Sequence, residues 1–413
     1  MTGRRIYILA VLLAGLLLRL WLSDLAPKNL EWDAYYYFQA GRDIAAGTAR
    51  ANCCNMAPGY PLFLAVHQII FGPAALSAVR ISQAVLDLIT AVLVYVLARR
   101  LFGAKAAMPA FTVAALQPLT PSYTGLILTE TLTLTLVTGA ASILTARKFS
   151  RTPYLWFALG AVLGYTAIVK MSLFQFTAVM LAVMALYFVI RKKWLFVPVA
   201  LGGFAAAVSY SVYLNLQTFG IASIVPPYRT LIGPLYISSS MGRSGEMQGE
   251  PYTVTPEYTE YIGEYYRLYN SDPEKLVAHD RSYREKLISK IKSEPGYYVR
   301  QLLRNNIWMW DKYHLFIYRD PFYPADAIWL RTGNLLILSL HLVGLFSFVI
   351  PDRRRLRHPL VLWSLAMGGY TALAYPVFNN ETRLSLPYYP LVFLWAGYGI
   401  WTVTQKILLR RQS

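Results

Sequence analysis

The chain has 413 residues, of which 56% are hydrophobic and only 15% charged, with a mean hydropathy of +0.39. A water-soluble domain of this length is much richer in charge, so the composition indicates a membrane protein built on repeated apolar stretches near the roughly 20 residues a bilayer demands. The formal net charge of +18 falls largely at the ends of those stretches, which ties it to topology and anionic lipid and gives no support to nucleic-acid binding.

In chain order, apolar runs predict ten spans over residues 6–22, 75–98, 106–123, 126–146, 153–169, 172–190, 194–214, 331–350, 359–377 and 387–404. The fold class expected is therefore an all-α polytopic membrane protein of about ten transmembrane helices. With ten spans, Arg4/Arg5, Arg99/Arg100/Lys105, Arg147/Lys148/Arg151, Arg191/Lys192/Lys193, Arg353/Arg354/Arg355/Arg357 and Lys406/Arg410/Arg411 share one side. Short cytoplasmic loops retain positive charge, so both termini are expected in the cytoplasm and the chain in the cytoplasmic (inner) membrane. No small-residue cleavage site succeeds Leu22, which argues against a removed signal peptide.

Two segments stand outside the spans. The first external loop, residues 23–74, carries two predicted interfacial helices. One runs from Asp33, as N-cap or first-turn residue, to a stop at Gly47; the other opens at Pro58-Gly59-Tyr60-Pro61 and ends near Ile70, too short to span. Cys53 and Cys54 between them are adjacent and imply no disulfide framework. The second segment, residues 215–330, is tyrosine-rich and balanced in charge, with helical runs at 273–291 and 295–310. It predicts a small external domain between spans 7 and 8, whose Gly/Ser/Pro-rich stretch 238–256 would form a lid-like loop. The domain plan is thus 1–214 for spans 1–7, 215–330 for the external domain and 331–413 for spans 8–10.

Ionisable residues at the edge of spans are costly and mark candidate sites. Asp33, Arg80, Glu130, Lys170, Glu381 and Arg383 all fall at the external edge of the ten-span topology. Such a ring suits transfer of a group from a lipid phosphate: a Lys or Arg holds the phosphate as its charge grows, and a carboxylate takes the proton of an acceptor hydroxyl. Asp33 is the candidate base and Lys170 the candidate phosphate ligand. Glu130 is a second carboxylate able to orient the acceptor, and Arg383 and Arg80 are further phosphate contacts. Tyr36 and Tyr60, with Tyr35 and Tyr37, offer faces and hydroxyls to sugar rings.

Each residue also has a purely structural reading. Asp33 and Glu130 can cap helices, Lys170 can snorkel, Arg80 can pair with Asp87, and Arg383 with Glu381. His279 and His314 read as structural. The sequence requires no cofactor; a divalent cation, Mg²⁺ or Mn²⁺, is open, with Asp33 and Glu130 as its candidate ligands.

Four segments carry a family resemblance: Trp32-Asp33-Ala34-Tyr35-Tyr36 through Gly47, Ala57-Pro58-Gly59-Tyr60-Pro61-Leu62, Leu128-Thr129-Glu130, and Glu381-Thr382-Arg383-Leu384-Ser385-Leu386-Pro387. Together with Arg80 before a span ending in Arg99-Arg100, they resemble the GT-C membrane glycosyltransferases. The likeness is in particular to the branch of protein O-mannosyltransferases, the lipid A aminoarabinose transferase and rhizobial galacturonosyltransferases. The resemblance implies an inverting transferase that takes a sugar from a polyprenyl-phosphate carrier to a glycolipid, polysaccharide or protein hydroxyl on the external face. It implies Asp33 as base, Glu130 as the second acidic position and Lys170 as the contact to the lipid phosphate. The chain departs from the pattern where Ala34 replaces a second consecutive acid and in having fewer spans than several relatives. A transporter or flippase of a lipid-linked sugar is the alternative, though it calls for charges at midplane depth and repeated halves, and neither is evident.

Overall fold

The structure is a computed structural model that describes residues 2–30, 32–51, 56–226, 260–261, 263–264, 267–268, 275–312, 314–316, 326–378 and 382–410. Among these residues all regular structure is helical: α1 (Thr2–Leu25), α2 (Trp32–Ala45), α3 (Gly59–Phe71), α4 (Ala75–Phe102), α5 (Ala104–Leu116), α6 (Glu130–Leu144), α7 (Pro153–Val169), α8 (Phe174–Ile190), α9 (Phe196–Phe219), α10 (Lys275–Ser293), α11 (Pro295–Trp310), α12 (Asp326–Val349), α13 (Pro359–Leu373), α14 (Tyr375–Phe378) and α15 (Tyr389–Arg410). The expected all-α membrane class is observed.

Six helical stretches among the described residues are long and apolar enough to cross a bilayer: Gly3–Leu25, Gly59–Phe102, Met171–Ile190, Phe196–Phe219, Ile328–Val349 and Pro359–Val377. Helices α5, α6 and α7 are apolar but have only 13, 15 and 17 residues. At about 1.5 Å per residue they reach ~20–25 Å, short of the roughly 30 Å hydrocarbon thickness. The third expected span, 106–123, is cut at Leu116 because Pro118 and Pro121 cannot continue a helix.

From Gln117 to Thr129 the chain forms a connector around a short 3-10 turn, Pro121–Gly125, and all of its residues except Pro118 are buried. Buried backbone groups outside α-helices must find partners within the protein. Side chains supply them here. Gln83 donates to the carbonyls of Thr124 and Leu126, Arg80 donates to the carbonyl of Gly125, and the Gln117 side chain receives the N–H groups of Leu119 and Thr120.

Close to this connector lies a buried ion pair. Arg19 of α1 meets Asp87 of α4 at 2.7 Å, and the same guanidinium donates to the carbonyls of Gly15 and Ala115. Both side chains are shut off from solvent. The first half of α15, from Tyr389 to Ala396, fills the centre of the bundle and packs against α5, α12 and α4. Helices α7 and α9 approach closely through Gly160, Gly164 and Gly203, where an added Cβ would strike opposing backbone.

Candidate active site

The two short helices of the first loop form where expected. Helix α2 stops at Gly47, whose φ of +73° suits glycine, while the Thr48 N–H donates back to the carbonyl of Asp43 to close the end. Helix α3 begins at Gly59 because that residue lies on the backbone of Ile168 and Val169, with the Tyr165 hydroxyl bonded to its carbonyl; a Cβ there would come within 2.6 Å of the Ile168 carbonyl group. The Pro-Gly-Tyr-Pro motif thus locks α3 against the end of α7, one residue before Lys170.

Four of the residues selected from the sequence come together as two ion pairs. Asp33, in the first turn of α2, accepts from Arg383 at 2.7 Å across 350 residues of sequence. Glu130, the first residue of α6, accepts from Lys170 at 2.7 Å; Lys170 also lies 3.4 Å from the Thr129 hydroxyl. Lys170 sits past the end of α7 in extended backbone, from which its side chain reaches the start of α6. The two pairs share a neighbourhood, since the charge of Arg383 as well as that of Lys170 acts on Glu130, and Glu130 in turn acts on Tyr60 and Tyr375. The pairs differ in access: Lys170 and Glu130 are buried, whereas Asp33 is 42% exposed.

Other expectations meet a different geometry. Arg80 does not pair with Asp87, whose partner is Arg19. Its guanidinium instead donates to the carbonyls of Gly125 and Pro27, holding the buried connector to the end of α1. Tyr60 does not offer its face to a sugar: it is fully buried, donates to the Gln83 side chain at 2.8 Å, and packs edge-on against Tyr37. Tyr36 is exposed and lines a groove of about 320 Å³ that runs along α2 past Gln39 and Asp43 to Asn215 of α9. Glu381, the Cys53–Cys54 pair and the 238–256 loop lie outside the described residues. His279 is buried in a ring cluster with Tyr261 and Tyr283, as a structural histidine would be.

Among the described residues no three metal-ligating side chains converge. Asp33 and Glu130 are each engaged by a basic side chain.

One residue with no motif to mark it in the sequence holds the site in place. Lys312, just after α11, donates to the carbonyls of Met309 and Thr382 and, at 2.7 Å, to the Ser385 hydroxyl, while its ammonium lies over the Tyr389 ring. Thr382 and Ser385 bracket Arg383 on the 3-10 segment Thr382–Tyr388, so Lys312 fixes the backbone that presents Arg383 to Asp33.

Comparison with known proteins agrees with this architecture. Residues 55–213 match the model of the dolichyl-phosphate-mannose-protein mannosyltransferase family, a stretch that contains Glu130 and Lys170 but neither Asp33 nor Arg383. The fold is similar to that of the Archaeoglobus fulgidus oligosaccharyltransferase in its apo form, with TM-score 0.52, 13% identity, and 98% of this chain aligned to 51% of that one. The archaeal oligosaccharyltransferase AglB from the same organism, solved with an inhibitory peptide and a dolichol-phosphate, gives TM-score 0.51 at 13% identity over 99% of this chain and 52% of that one. The enzyme tethered to an acceptor peptide gives 0.52 at 15% identity, covering 98% and 50%. The chain therefore spans about half the length of these structures. No curated protein matches it. The resemblance to the GT-C membrane glycosyltransferases is borne out by the family match, which takes in the Ala57–Leu62 and Leu128–Glu130 motifs, and by the similarity of the fold to the archaeal oligosaccharyltransferase.

Proposed function

We propose that this chain is an inverting glycosyltransferase that moves a sugar from a polyprenyl-phosphate carrier to a hydroxyl of a glycolipid, polysaccharide or protein, at the external face of the cytoplasmic membrane. The observation that carries the reading is the accessible carboxylate of Asp33 held by Arg383 beside the buried Glu130–Lys170 pair. A base and two cations within one site match the charge flow of the reaction. The acceptor hydroxyl loses its proton to Asp33 while its oxygen bonds to the anomeric carbon from the face opposite the phosphate. The bond between that carbon and the phosphate oxygen breaks, its electron pair stays with the phosphate, and Arg383 and Lys170 meet the added charge.

Glu130 holds the Lys170 ammonium in place at 2.7 Å. The family description and the dolichol-phosphate seen with AglB support a lipid-phosphate donor. Cytoplasmic termini belong to the same reading: α2, the end of α7 and the Thr382–Tyr388 segment then share one external level, where Tyr36 and its groove would receive the acceptor.

The test is transfer of label by the purified protein in lipid nanodiscs from a panel of polyprenyl-phosphate sugars to membrane-derived acceptors. Label should leave the carrier in the wild-type protein and remain on it in Asp33→Asn. Equal release by both proteins would remove Asp33 as the base, and release by neither from any donor would overturn the assignment to this donor class.

A further inference from the structure

Helices α10 and α11 are consecutive in the segment between α9 and α12, yet they present opposite chemistries outward. Helix α10 buries His279, Tyr283 and Leu287, at spacings of four, and turns Arg281, Arg284, Glu285 and Lys290 outward. That is the pattern of a helix in water. Its exposed Ile288 and Ile291 lie toward the end that leads into α11.

Helix α11 is inverted. Its inward stripe contains Gln301 and Asn305, with Met309 one turn on; Asn305 donates to the carbonyl of Pro376, and the neighbouring Asn306 donates to the carbonyl of Ala372 at the end of α13. Its outward stripe is Val299, Leu303 and Ile307, which are 57%, 61% and 68% exposed. Amide side chains buried and large aliphatic ones exposed, at the same helical period, suit a hydrocarbon surround rather than an aqueous one.

The flanks fit the same surround. Arg300 and Arg304 are one turn apart along the edge of the apolar stripe, the latter over the Trp308 ring at 4.4 Å, and Trp and Arg are residues of the headgroup layer. The neighbouring bundle surface is apolar too: Leu373, next to the Ala372 carbonyl that holds Asn306, is itself exposed on α13.

We infer that α11 lies in the outer edge of the bilayer, its Val299–Leu303–Ile307 face in the acyl chains and Arg300 and Arg304 among lipid phosphates, while α10 stands in water. The occupant of the apolar face is the bilayer itself. The expected external domain is therefore divided, with its second helix part of the membrane surface. Because Lys312 lies just past α11 and holds the backbone on both sides of Arg383, this contact also sets the depth of the Arg383 segment relative to the phosphate layer.

Lipid contact of α11 can be measured without any assay of catalysis. In a Cys53→Ser/Cys54→Ser background, nitroxides placed at Val299→Cys, Leu303→Cys and Ile307→Cys are compared with Arg281→Cys and Glu285→Cys in nanodiscs, by relaxation with oxygen and with a neutral nickel chelate. The α11 labels should favour oxygen at least several-fold over the α10 labels. Equal access of the nickel chelate to both helices would overturn the proposal by putting α11 in water. Exclusion of both reagents at Leu303 and Ile307 would overturn it by showing a protein partner, such as a second copy, on the stripe. The unsubstituted protein supplies a check free of folding artefacts: a phospholipid carrying a photoreactive group in its acyl chain should mark peptides from 295–310 and leave 275–293 unmarked, and marking of α10 alone would refute the arrangement.

Discussion

Two ion pairs in this chain have the same nitrogen–oxygen distance of 2.7 Å and opposite surroundings. Arg19–Asp87 is 0% and 1% exposed, with further hydrogen bonds to Gly15, Ala115 and Thr120. Arg383–Asp33 is 15% and 42% exposed and opens beside α2. Geometry alone would rank them equal. Burial separates them: a charge pair enclosed by protein is retained as structure, because leaving either partner buried and unpaired is costly, whereas a carboxylate with an open side can exchange its partner for a substrate. Lys170–Glu130 lies between the two, buried like the first pair but in the electrostatic neighbourhood of the second.

The largest effect expected from this contrast is on turnover at Asp33. Asparagine retains the size and the acceptor oxygen that faces Arg383 but takes up no proton. Loss of a general base costs on the order of a hundred- to ten-thousandfold in rate. Asp33→Asn should therefore elute and unfold like the wild type while label stays on the carrier. Wild-type turnover in that variant would place Asp33 with Asp87 among structural carboxylates and leave Glu130 as the remaining base.

Asp87→Asn should show the reverse behaviour. Removing one partner of a buried pair leaves Arg19 charged and uncompensated, at a cost of about 3–5 kcal/mol. Thermal unfolding in detergent should report that loss, and the folded fraction should keep its turnover per molecule. The double variant Arg19→Met/Asp87→Leu should recover much of the stability, since an apolar pair of similar volume replaces the charges. If the double variant is no better than Asp87→Asn, the backbone contacts of Arg19 matter more than its charge.

How much of this contrast is legible in the sequence depends on distance along the chain. Local signals locate α2 and α3, because Gly47 and Pro58-Gly59 act on their own neighbourhoods. The ring of Asp33, Glu130, Lys170 and Arg383 can be read from their common place at span ends. Which cation meets which carboxylate cannot, since Asp33 and Arg383 are 350 residues apart and packing alone decides the pairing. Arg19 carries a signal of its own that the reading by span edges passes over: a lone arginine in Leu17-Leu18-Arg19-Leu20-Trp21 requires a buried acceptor, and Asp87 is an acid inside an apolar run. Pairing Arg80 with Asp87 two turns away uses helical spacing correctly but ignores the connector, whose carbonyls claim Arg80. Lys312 has no local pattern at all, because its acceptors come from α11 and from a segment 70 residues later.

A smaller effect is expected at the phosphate. Lys170→Ala removes a charge-assisted contact worth about 1.5–3 kcal/mol, hence roughly ten- to a hundredfold in donor saturation. Arg383→Ala should fall in the same range. Donor curves unchanged in both variants would mean that the two cations serve only their carboxylates, as Arg19 serves Asp87.

The smallest expected change is in the stability of Arg383→Ala, and it tests the comparison most directly. An ion pair with one open side contributes less than an enclosed one, because solvent reaching Asp33 screens the attraction. The unfolding midpoint of Arg383→Ala should therefore lie close to that of the wild type, far above that of Asp87→Asn, despite the identical 2.7 Å distances. Salt supplies the companion measurement. Screening shortens from about 10 Å at 0.1 M to about 3 Å at 1 M ionic strength, so donor binding that relies on Arg383 should weaken across that range while the Arg19–Asp87 contribution to unfolding stays level. A loss of stability in Arg383→Ala as large as that in Asp87→Asn would make the Asp33 pair a structural clamp and take away the reason for reading its exposure as access for substrate.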